Sequence, residues 1–364
     1  MRTSTLIRIP TMRLPSLLLL LSLLLASPGH AADMHIVHDM AGDAVSVPVH
    51  VDRVVTLGAT PVINSLLFAV GAGDRIINGL GTFGRQGRWN YQYSFAPRLA
   101  SLPPLANLDR SANLEALLQA APDVVLTMDR STAQSLRRAG LLALYMAWRQ
   151  PEDVKVVVNL LGDLLERPVA AARYTARFDS LLDEVGDRLR GKNIRRPSVL
   201  YFSPKTLTQP HLIVEWWIRA AGGESVTDNH RRTESYSFGM EQLLAWNPQF
   251  LIVSSPEEAV GVRTDPRFAK LRAVREGHVL IAPCGAHTWG NRTSEQPLMV
   301  LWAAQQFHPS LFTDVDMIER SQRFYREIYG TTLTHAQVAE ILAGGPRRAT
   351  PTQQTQTATQ GVMP

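Results

Sequence analysis

Aromatic and cationic side chains stand after the predicted strands of this chain and in the long loop between Gly79 and Leu105. In α/β proteins, ligands bind outside the carboxyl ends of the strands, so residues at those positions are candidates for a site. Tryptophan and tyrosine offer flat apolar faces with a polar tip, and arginine pairs with carboxylate or phosphate oxygens. This combination indicates a site for an anionic or aromatic chelate. The candidate ligand-binding residues are Thr60, Phe83, Arg85, Trp89, Tyr91, Met128, Arg130, Trp148, Ser203, Tyr236, His287, Trp289 and Arg292.

Two of these tryptophans, Trp148 and Trp289, also admit a simpler interpretation, in which they cap the apolar core. Pockets favour aromatic residues at such sheet edges, so we prefer the interpretation as a site. His287 is the best candidate metal ligand, because it lies in a loop after a strand. No set of three or four ligands has a diagnostic spacing, so the sequence does not indicate a site for a bare metal ion.

The sequence contains no pattern that predicts catalysis. Residues 79–84 match GxGxxG, but the segment after them has no apolar helical period, and dinucleotide binding needs a helix there. No nucleophile–base pattern is present, and no catalytic residue is predicted. A binding protein without catalysis is therefore favoured. An exported metal-dependent enzyme or metallochaperone that uses His287 is the alternative of another class.

A repeat connects two distant parts of the chain. Residues 113–126 (NLEALLQAAPDVVL) align without a gap with residues 239–252 (GMEQLLAWNPQFLI). Each copy predicts a short amphipathic helix that ends before a proline and is followed by an apolar strand. Glu115 and Glu241 occupy matching positions in the first turns of these helices. Helix-dipole complementation explains either glutamate alone, whereas one partner of matching symmetry better explains both.

Strands and helices alternate on both sides of a long helical segment. The sequence predicts an α/β fold in which two lobes with mostly parallel central sheets are joined by a long rigid interdomain helix. The predicted boundaries are 32–150 for the N-terminal lobe, 151–192 for the connecting helix and 193–344 for the C-terminal lobe. A short strand at 75–77 and a helix at 266–275 are among the predicted elements. A rigid connection limits hinge motion to small rocking.

The first 31 residues predict an export signal. Arg2, Arg8 and Arg13 precede or flank an apolar stretch that is too short to span a bilayer, which is typical of a signal peptide. We expect cleavage near Ala31 and a periplasmic location. Loss of the three arginines lowers the formal net charge from +5 to +2, so a basic nucleic-acid-binding face is not indicated.

Cysteine content and the end of the chain carry further information. Cys284 is the only cysteine, so an exported chain has no intrachain disulfide and depends on its apolar core. We interpret Cys284 as a small buried hydrophobe. Residues 345–364 are rich in Gln, Thr and Pro, which predicts a disordered tail.

Several short motifs have an order and spacing that match a known family. They are Asp39-x-x-Gly42, Gly71-Ala72-Gly73-Asp74-Arg75-Ile76, Asn113-Leu114-Glu115, Ala221-Gly222-Gly223-Glu224 and Trp289 followed by Pro297-Leu298. Over residues 36–342, the chain resembles the periplasmic binding proteins of ABC importers for ferric siderophores, haem, cobalamin and related metal complexes.

This resemblance implies two lobes that hold a ligand at their interface with little closure. It also implies that Glu115 and Glu241 form salt bridges with arginines of an inner-membrane ABC permease dimer. The implied function is capture of a chelated metal, most simply a ferric siderophore-type complex, by a monomeric receptor without an intrinsic cofactor. Cobalamin, haem, molybdate or tungstate, and a nickel complex are the alternative cargoes. The loop at Gly290-Asn291-Arg292 departs from that of the cobalamin binders.

Overall fold

The computed structural model describes residues 33–81, 87–148 and 150–346. The predicted signal peptide, the candidate residues Phe83 and Arg85, and most of the predicted tail lie outside these ranges. Among the described residues, no helix is both long enough and apolar enough to cross a membrane.

An antiparallel hairpin precedes the first lobe. Its strands are β1 (Met34–His38) and β2 (Ala44–Pro48), and Gly42 in the turn has a positive φ of 81°. Asp39 in this turn is buried, and its carboxylate forms an ion pair with Arg137. The ion pair ties the hairpin to the first lobe.

The first lobe is built on a three-stranded parallel sheet. Its elements are the strands β3 (Val54–Leu57), β4 (Val124–Thr127) and β5 (Ala143–Tyr145) and the helices α1 (Thr60–Ala69), α2 (Tyr91–Phe95), α3 (Leu114–Ala120) and α4 (Arg130–Arg138). The strand order is β3-β4-β5. Every residue of β3 and β4 is buried, as expected for a parallel sheet that is covered on both faces.

The predicted strand at 75–77 is wrong. The structure has a 3-10 turn at Gly73–Arg75 and a single bridge between Val54 and Ile76. The chain leaves the sheet after this bridge because the backbone N–H of Gly79 donates to the carbonyl oxygen of Pro103, at 2.9 Å, in the long loop.

Two consecutive helices connect the lobes. They are α5 (Pro151–Leu164) and α6 (Pro168–Leu189), in the segment for which the sequence predicts one long helical connection. A proline begins each helix, at a position where its missing N–H costs nothing. Gly162 of α5 lies so close to Ala171 of α6 that a β-carbon there would collide with it. The connection is therefore a packed pair of helices.

The second lobe contains a four-stranded parallel sheet and a small antiparallel ribbon. The strands are β6 (Ser198–Tyr201), β7 (Thr208–Gln209), β8 (Glu224–Ser225), β9 (Tyr236–Ser237), β10 (Phe250–Val253) and β11 (Val279–Ile281). The sheet order is β11-β10-β6-β8, and β7 pairs with β9. Helices α7 (Ile213–Ala220) and α8 (Met240–Trp246) lie between these strands in the chain. The predicted α/β class with two mostly parallel sheets is confirmed.

The predicted helix at 266–275 is wrong. The structure has α9 (Pro256–Thr264) and a single turn, α10 (Arg272–Arg275). The side chain of Ser255 accepts a hydrogen bond at the start of α9 and a proline follows it, which together favour a helix start there. Pro266 disfavours helical backbone in the residue before it, so α9 ends early.

Three helices complete the second lobe. Helix α11 (Gln296–Phe307) is buried along almost its whole length and packs against α6 and α7. Helices α12 (Met317–Ile328) and α13 (His335–Leu342) follow, and they pack against each other. Because α11 contacts the connecting helix α6 directly, the second lobe and the connection share one core.

Candidate ligand-binding site

Residues that follow strands of both sheets meet at the junction of the two lobes. Arg88, in the long loop after β3, contacts Ser254 after β10 and Thr288 after β11. From the other lobe, Arg292 donates through Nε to the carbonyl oxygen of Trp148, which follows β5, at 2.7 Å. The carboxyl ends of the two sheets therefore share one cleft, which is the usual place for a ligand in an α/β protein.

The indole of Trp89 and the imidazole of His287 stack face to face between the lobes. Their ring centroids are 4.5 Å apart, and their planes differ by 2°. The guanidinium of Arg88 lies 5.2 Å from the centroid of the Trp89 ring, which adds a cation–π contact. Burial lowers the pKa of His287 to about 3, and the positive charge of Arg88 adds to this effect. The imidazole is therefore neutral at neutral pH, as a metal ligand must be.

Arg88 brings a positive charge into the cleft, and its hydrogen bonds to other described residues go to neutral acceptors. Its Nη2 donates to the carbonyl oxygen of Ser254 and, at 2.8 Å, to Oγ1 of Thr288. Its buried Nε has no hydrogen-bond partner among the described residues. Arg88 is half-buried, and the cavity beside it is lined also by Glu257 and Glu258, so protein carboxylates lie close to this positive charge. An anionic ligand would compete with them for the guanidinium.

Arg292 carries a second positive charge. Its side chain is 12% exposed and forms an ion pair with Glu234. Burial lowers the pKa of the nearby His211 to about 4, and Arg292 lowers it further while Glu234 opposes the shift. His211 also contributes to the lowered pKa of His287, so the two imidazoles lie within electrostatic reach of each other.

A fully buried carboxylate, Glu295, shapes the loop that carries His287. It accepts hydrogen bonds from the backbone N–H groups of Ala286 and His287, at 2.9 Å and 3.0 Å. The hydroxyl groups of Tyr325 and Thr293 donate to it at 2.6 Å and 3.0 Å. Burial raises the pKa of Glu295, and these hydrogen bonds act in the opposite direction. Four donors occupy both oxygens, which fixes the loop around them.

Two glycines let this loop pack closely. A β-carbon at Gly285 would collide with the carboxylate of Glu295 and the hydroxyl of Tyr325. A β-carbon at Gly290 would lie 2.8 Å from the ring of Tyr201. Close approach of neighbouring groups is therefore the reason for glycine at both positions.

Buried polar groups bridge the lobes beside the cleft. Asn64 of α1 donates through Nδ2 to Oε1 of Gln92 at 2.9 Å, and Nε2 of Gln92 donates to the carbonyl oxygen of Ala286 at 2.7 Å. The hydroxyl of Ser294 donates to the carbonyl oxygen of Ser65 at 2.7 Å. These bonds join the first lobe to the loop before α11 and oppose relative movement of the lobes.

Several candidates have contacts within a single lobe. Thr60 donates to a carbonyl oxygen of β3, and Arg130 lies 3.6 Å from an aspartate of the N-terminal hairpin. Met128 instead packs against the apolar core to which both lobes contribute. Ser203 pairs with β7, and the hydroxyl of Tyr236 accepts a hydrogen bond from a glutamine of α8 at 3.1 Å. The cleft residues described above differ, because their contacts cross from one lobe to the other.

The remaining aromatic candidates are buried. Tyr91 donates through its hydroxyl to Glu340 of α13 at 2.6 Å, and burial raises the pKa of Tyr91, with Glu340 adding to the shift. Trp148 and Trp289 are both buried, which agrees with the interpretation that they cap the core. Trp148 still takes part in the cleft through its carbonyl oxygen, which accepts from Arg292.

Arg88, Glu234 and Glu295 belong to the site without being among the candidates predicted from the sequence. Arg88 directly precedes Trp89, so its position in a candidate loop was a usable signal. Glu295 stands at the start of an apolar helix, and nothing in its local sequence indicates that the carboxylate turns inward.

Space and metal-binding groups beside the cleft are limited. A cavity of about 320 Å³ adjoins Arg88 and is lined also by Lys205 and by the start of α9. Within the described part of the chain, no group of three or more His, Cys, Asp and Glu side chains is arranged to hold a metal ion.

The two candidate docking glutamates occupy equivalent positions. Glu115 and Glu241 are the second residues of α3 and α8, and both are exposed. Helix α3 precedes β4 and helix α8 precedes β10, and each of these strands is an inner strand of its sheet.

Comparison with solved structures identifies the same fold in bacterial binding proteins. A periplasmic solute binding protein from Veillonella parvula has a TM-score of 0.73 and 22% identity, over 85% of this chain and 97% of that chain. The molybdate periplasmic binding protein MolA of Haemophilus influenzae, bound to molybdate, has a TM-score of 0.70 and 21% identity, over 82% and 99% of the two chains. The Helicobacter pylori protein CeuE, in a Ni-His complex, has a TM-score of 0.69 and 18% identity, over 85% and 99%.

Sequence comparison identifies the family. No curated protein sequence matches the chain. The sequence profile of the family described as periplasmic binding protein matches residues 66–284, which is more than half of the chain. The structural matches, at low identity, show the fold alone. The chain belongs to the family of periplasmic binding proteins.

Proposed function

We propose that this protein captures a chelated metal, most simply a ferric siderophore-type complex, and delivers it to an ABC importer. Membership of the periplasmic binding protein family supports a role as the solute receptor of such an importer. We further propose that the chain is exported, with cleavage near Ala31, and acts as a monomer without an intrinsic cofactor. The cargo class is inferred from the chemistry of the cleft.

The observation that carries the proposal is the combination at Arg88, Trp89 and His287. Among the residues that the structure describes, the hydrogen bonds of Arg88 go to neutral acceptors, so an anionic cargo would balance its charge. Trp89 is only 5% exposed and is covered by His287, so the proposed catecholate ring would join this stack on the side of the partly buried His287. Ferric complexes of such chelators combine negative charge with aromatic surface, so they satisfy both features together.

A receptor for a chelate is favoured over an enzyme or a metallochaperone. Both alternatives need protein ligands that hold a bare metal ion, usually three or more. His287 and His211 are two neutral imidazoles in one region, and the described residues offer no larger cluster. Two imidazoles suffice only where a chelator occupies the other coordination positions of the metal.

Tryptophan fluorescence provides the test. We expect the iron(III) complex of a tris-catecholate siderophore to quench the emission of the protein, with a dissociation constant of roughly micromolar or below. The Trp89→Phe variant should lose most of the quenching, because Trp89 lies in the cleft. Trp246→Phe is the matched control and should retain it, because Trp246 packs against Tyr236 and Phe238 in the second lobe.

Alternative cargoes form the other arms of the same titration. Haem, cobalamin, a nickel–histidine complex and molybdate replace the ferric complex in turn. Tighter binding of one of these would change the cargo and keep the receptor role. A response to free divalent ions alone would favour the metallochaperone, and no binding of any complex at micromolar concentration would refute the proposed receptor.

A further inference from the structure

The two matched helices expose apolar side chains beside their glutamates. Leu114 and Leu118 of α3 are 42% and 52% exposed, and Leu244 of α8 is 41% exposed. Leu117, which precedes Leu118, and Leu243, which precedes Leu244, are fully buried in the cores of their lobes. Each helix thus anchors itself with one leucine and leaves the next one at the surface.

The exposed leucines and the glutamates share a helix face. Leu118 follows Glu115 by three residues, and Leu244 follows Glu241 by three residues. Side chains three positions apart are neighbours on a helix surface. No ion pair of the described residues involves either glutamate, so each carboxylate is available to a partner.

The backbone presents the two pairs in the same way. Helix α3 ends at Ala121 with φ 43° and ψ 63°, and α8 ends at Asn247 with φ 40° and ψ 59°. Both residues are left-handed and precede a proline that leads into an inner strand. Each leucine therefore has the same position relative to the sheet of its lobe.

Single exposed leucines are common on soluble proteins and need no partner. These two differ because they recur at equivalent positions of the two lobes, each beside an unpaired carboxylate. We propose that Leu118 and Leu244 are apolar anchors of the docking surface, which insert into two equivalent pockets of the permease dimer next to its basic groups. This inference rests on the proposed function and adds the apolar part of the contact.

Charge complementarity favours the permease over a second copy of this chain. Both leucines lie beside an acidic side chain, so two copies facing each other through these helices would bring carboxylates together. A partner with basic groups around an apolar pocket satisfies both halves of each pair.

The test measures ATPase stimulation of the importer, reconstituted in proteoliposomes, as a function of binding-protein concentration. Leu118→Ser and Leu244→Ser should each raise the half-maximal concentration about tenfold, and the double variant should raise it further. Melting temperature and quenching by the ferric tris-catecholate complex should stay unchanged. Val169→Ser and Val260→Ser are controls, because these valines are 73% and 57% exposed outside the two helices.

Stimulation by the double variant at the wild-type concentration would overturn the inference, and charge reversal at Glu115 and Glu241 would then show whether docking uses the glutamates alone. A dimer of the wild-type chain that the same substitutions dissociate would also overturn it, in favour of a second copy. Failure of the wild-type protein itself to bind any cargo or to stimulate the importer would instead refute the proposed function.

Discussion

At the scale of single residues, the cleft holds titratable and charged side chains that are shielded from water. His287 and His211 lose hydration and lie near arginines, and both effects hold the imidazoles in the neutral form. The guanidinium of Arg88 donates to the carbonyl oxygen of Ser254 and to the hydroxyl of Thr288. Removing such groups from water is costly, and the proposed anionic chelate would offset part of that cost on binding.

Stability should fall as the protein is acidified, in part because of His287. Its pKa is about 3 in the folded protein, below the ordinary value near 6.5, so the unfolded chain binds the proton first as the pH falls. Stability is therefore complete above the ordinary value and is lost progressively between the two values. The wild-type protein should lose stability between about pH 7 and pH 5. We expect this loss to be smaller by about 1–2 kcal/mol in the His287→Gln variant.

Urea unfolding at the two pH values measures this difference. His335→Gln, at an exposed histidine that begins α13, is the control and should leave the loss unchanged. Equal acid sensitivity of the His287 variant and the wild-type protein would show that the imidazole is not held neutral by the fold.

At the scale of elements, a residue at the C-terminal end of the loop between β11 and α11 fixes the conformation of that loop. Glu295 lies at the boundary of α11 and accepts from backbone groups of the loop that precedes it. The carboxylate takes the place of a regular sheet or helix partner for these N–H groups, which are buried and need an acceptor. The position of His287 therefore depends on a residue that does not face the ligand.

Glu295→Gln should loosen this loop. An amide has one acceptor oxygen and turns two N–H donors toward groups that also donate, so we expect a loss of about 1–3 kcal/mol of stability. Affinity for the ferric complex should fall as well, because the stack of His287 on Trp89 loses its support. Thermal unfolding and fluorescence titration measure the two effects.

Tyr325→Phe is the matched control for Glu295. It removes one of the four donors and leaves the backbone bonds of the loop in place, so the expected loss is about 1 kcal/mol with little change in affinity. If the glutamine variant bound cargo as well as the phenylalanine variant does, the carboxylate would not position the loop.

At the scale of the whole molecule, several contacts join the two lobes and oppose hinge motion between them. The packed helices α5 and α6, the shared core with α11 and the bridge from Asn64 through Gln92 to Ala286 all cross the junction. Large closure around a ligand would break these contacts. The proposed docking surface on helices α3 and α8 would therefore change little when cargo binds.

Reversal of both docking charges should separate binding from delivery. The double substitution Glu115→Arg and Glu241→Arg should leave cargo affinity unchanged, since both side chains are exposed, and should abolish stimulation of the importer ATPase. Glu319→Arg is the control, because Glu319 is also an exposed glutamate in the first turn of a helix. A fall in cargo affinity in the double variant would place the glutamates in the ligand site instead.

Local features of the chain were readable from the sequence. The buried strands β3, β4, β6 and β10, the repeat of α3 and α8, and the helical connection follow from apolar periodicity and from proline and glycine positions. The helix at 266–275 was misplaced because the start signal at Ser255 was overlooked, although it is local. Candidates such as His287 and Arg292 could be predicted from the sequence because they follow strands. The rule that ligands bind at the carboxyl ends of strands requires only the order of strands and helices.

Contacts between distant parts of the chain were decided by the tertiary structure. Arg88 meets Thr288 across the two lobes, 200 positions away in the sequence, and Tyr325 meets Glu295 within the second lobe, 30 positions away. Apolar periodicity predicts which face of a helix or strand is buried. It does not predict which polar group of another element will contact that face. The sequence by itself thus determined the two-lobed α/β fold and predicted the sheet edge at which the candidate site lies. The tertiary structure decided which side chains give that edge its charge, because burial and pairing depend on neighbours that are remote in the sequence.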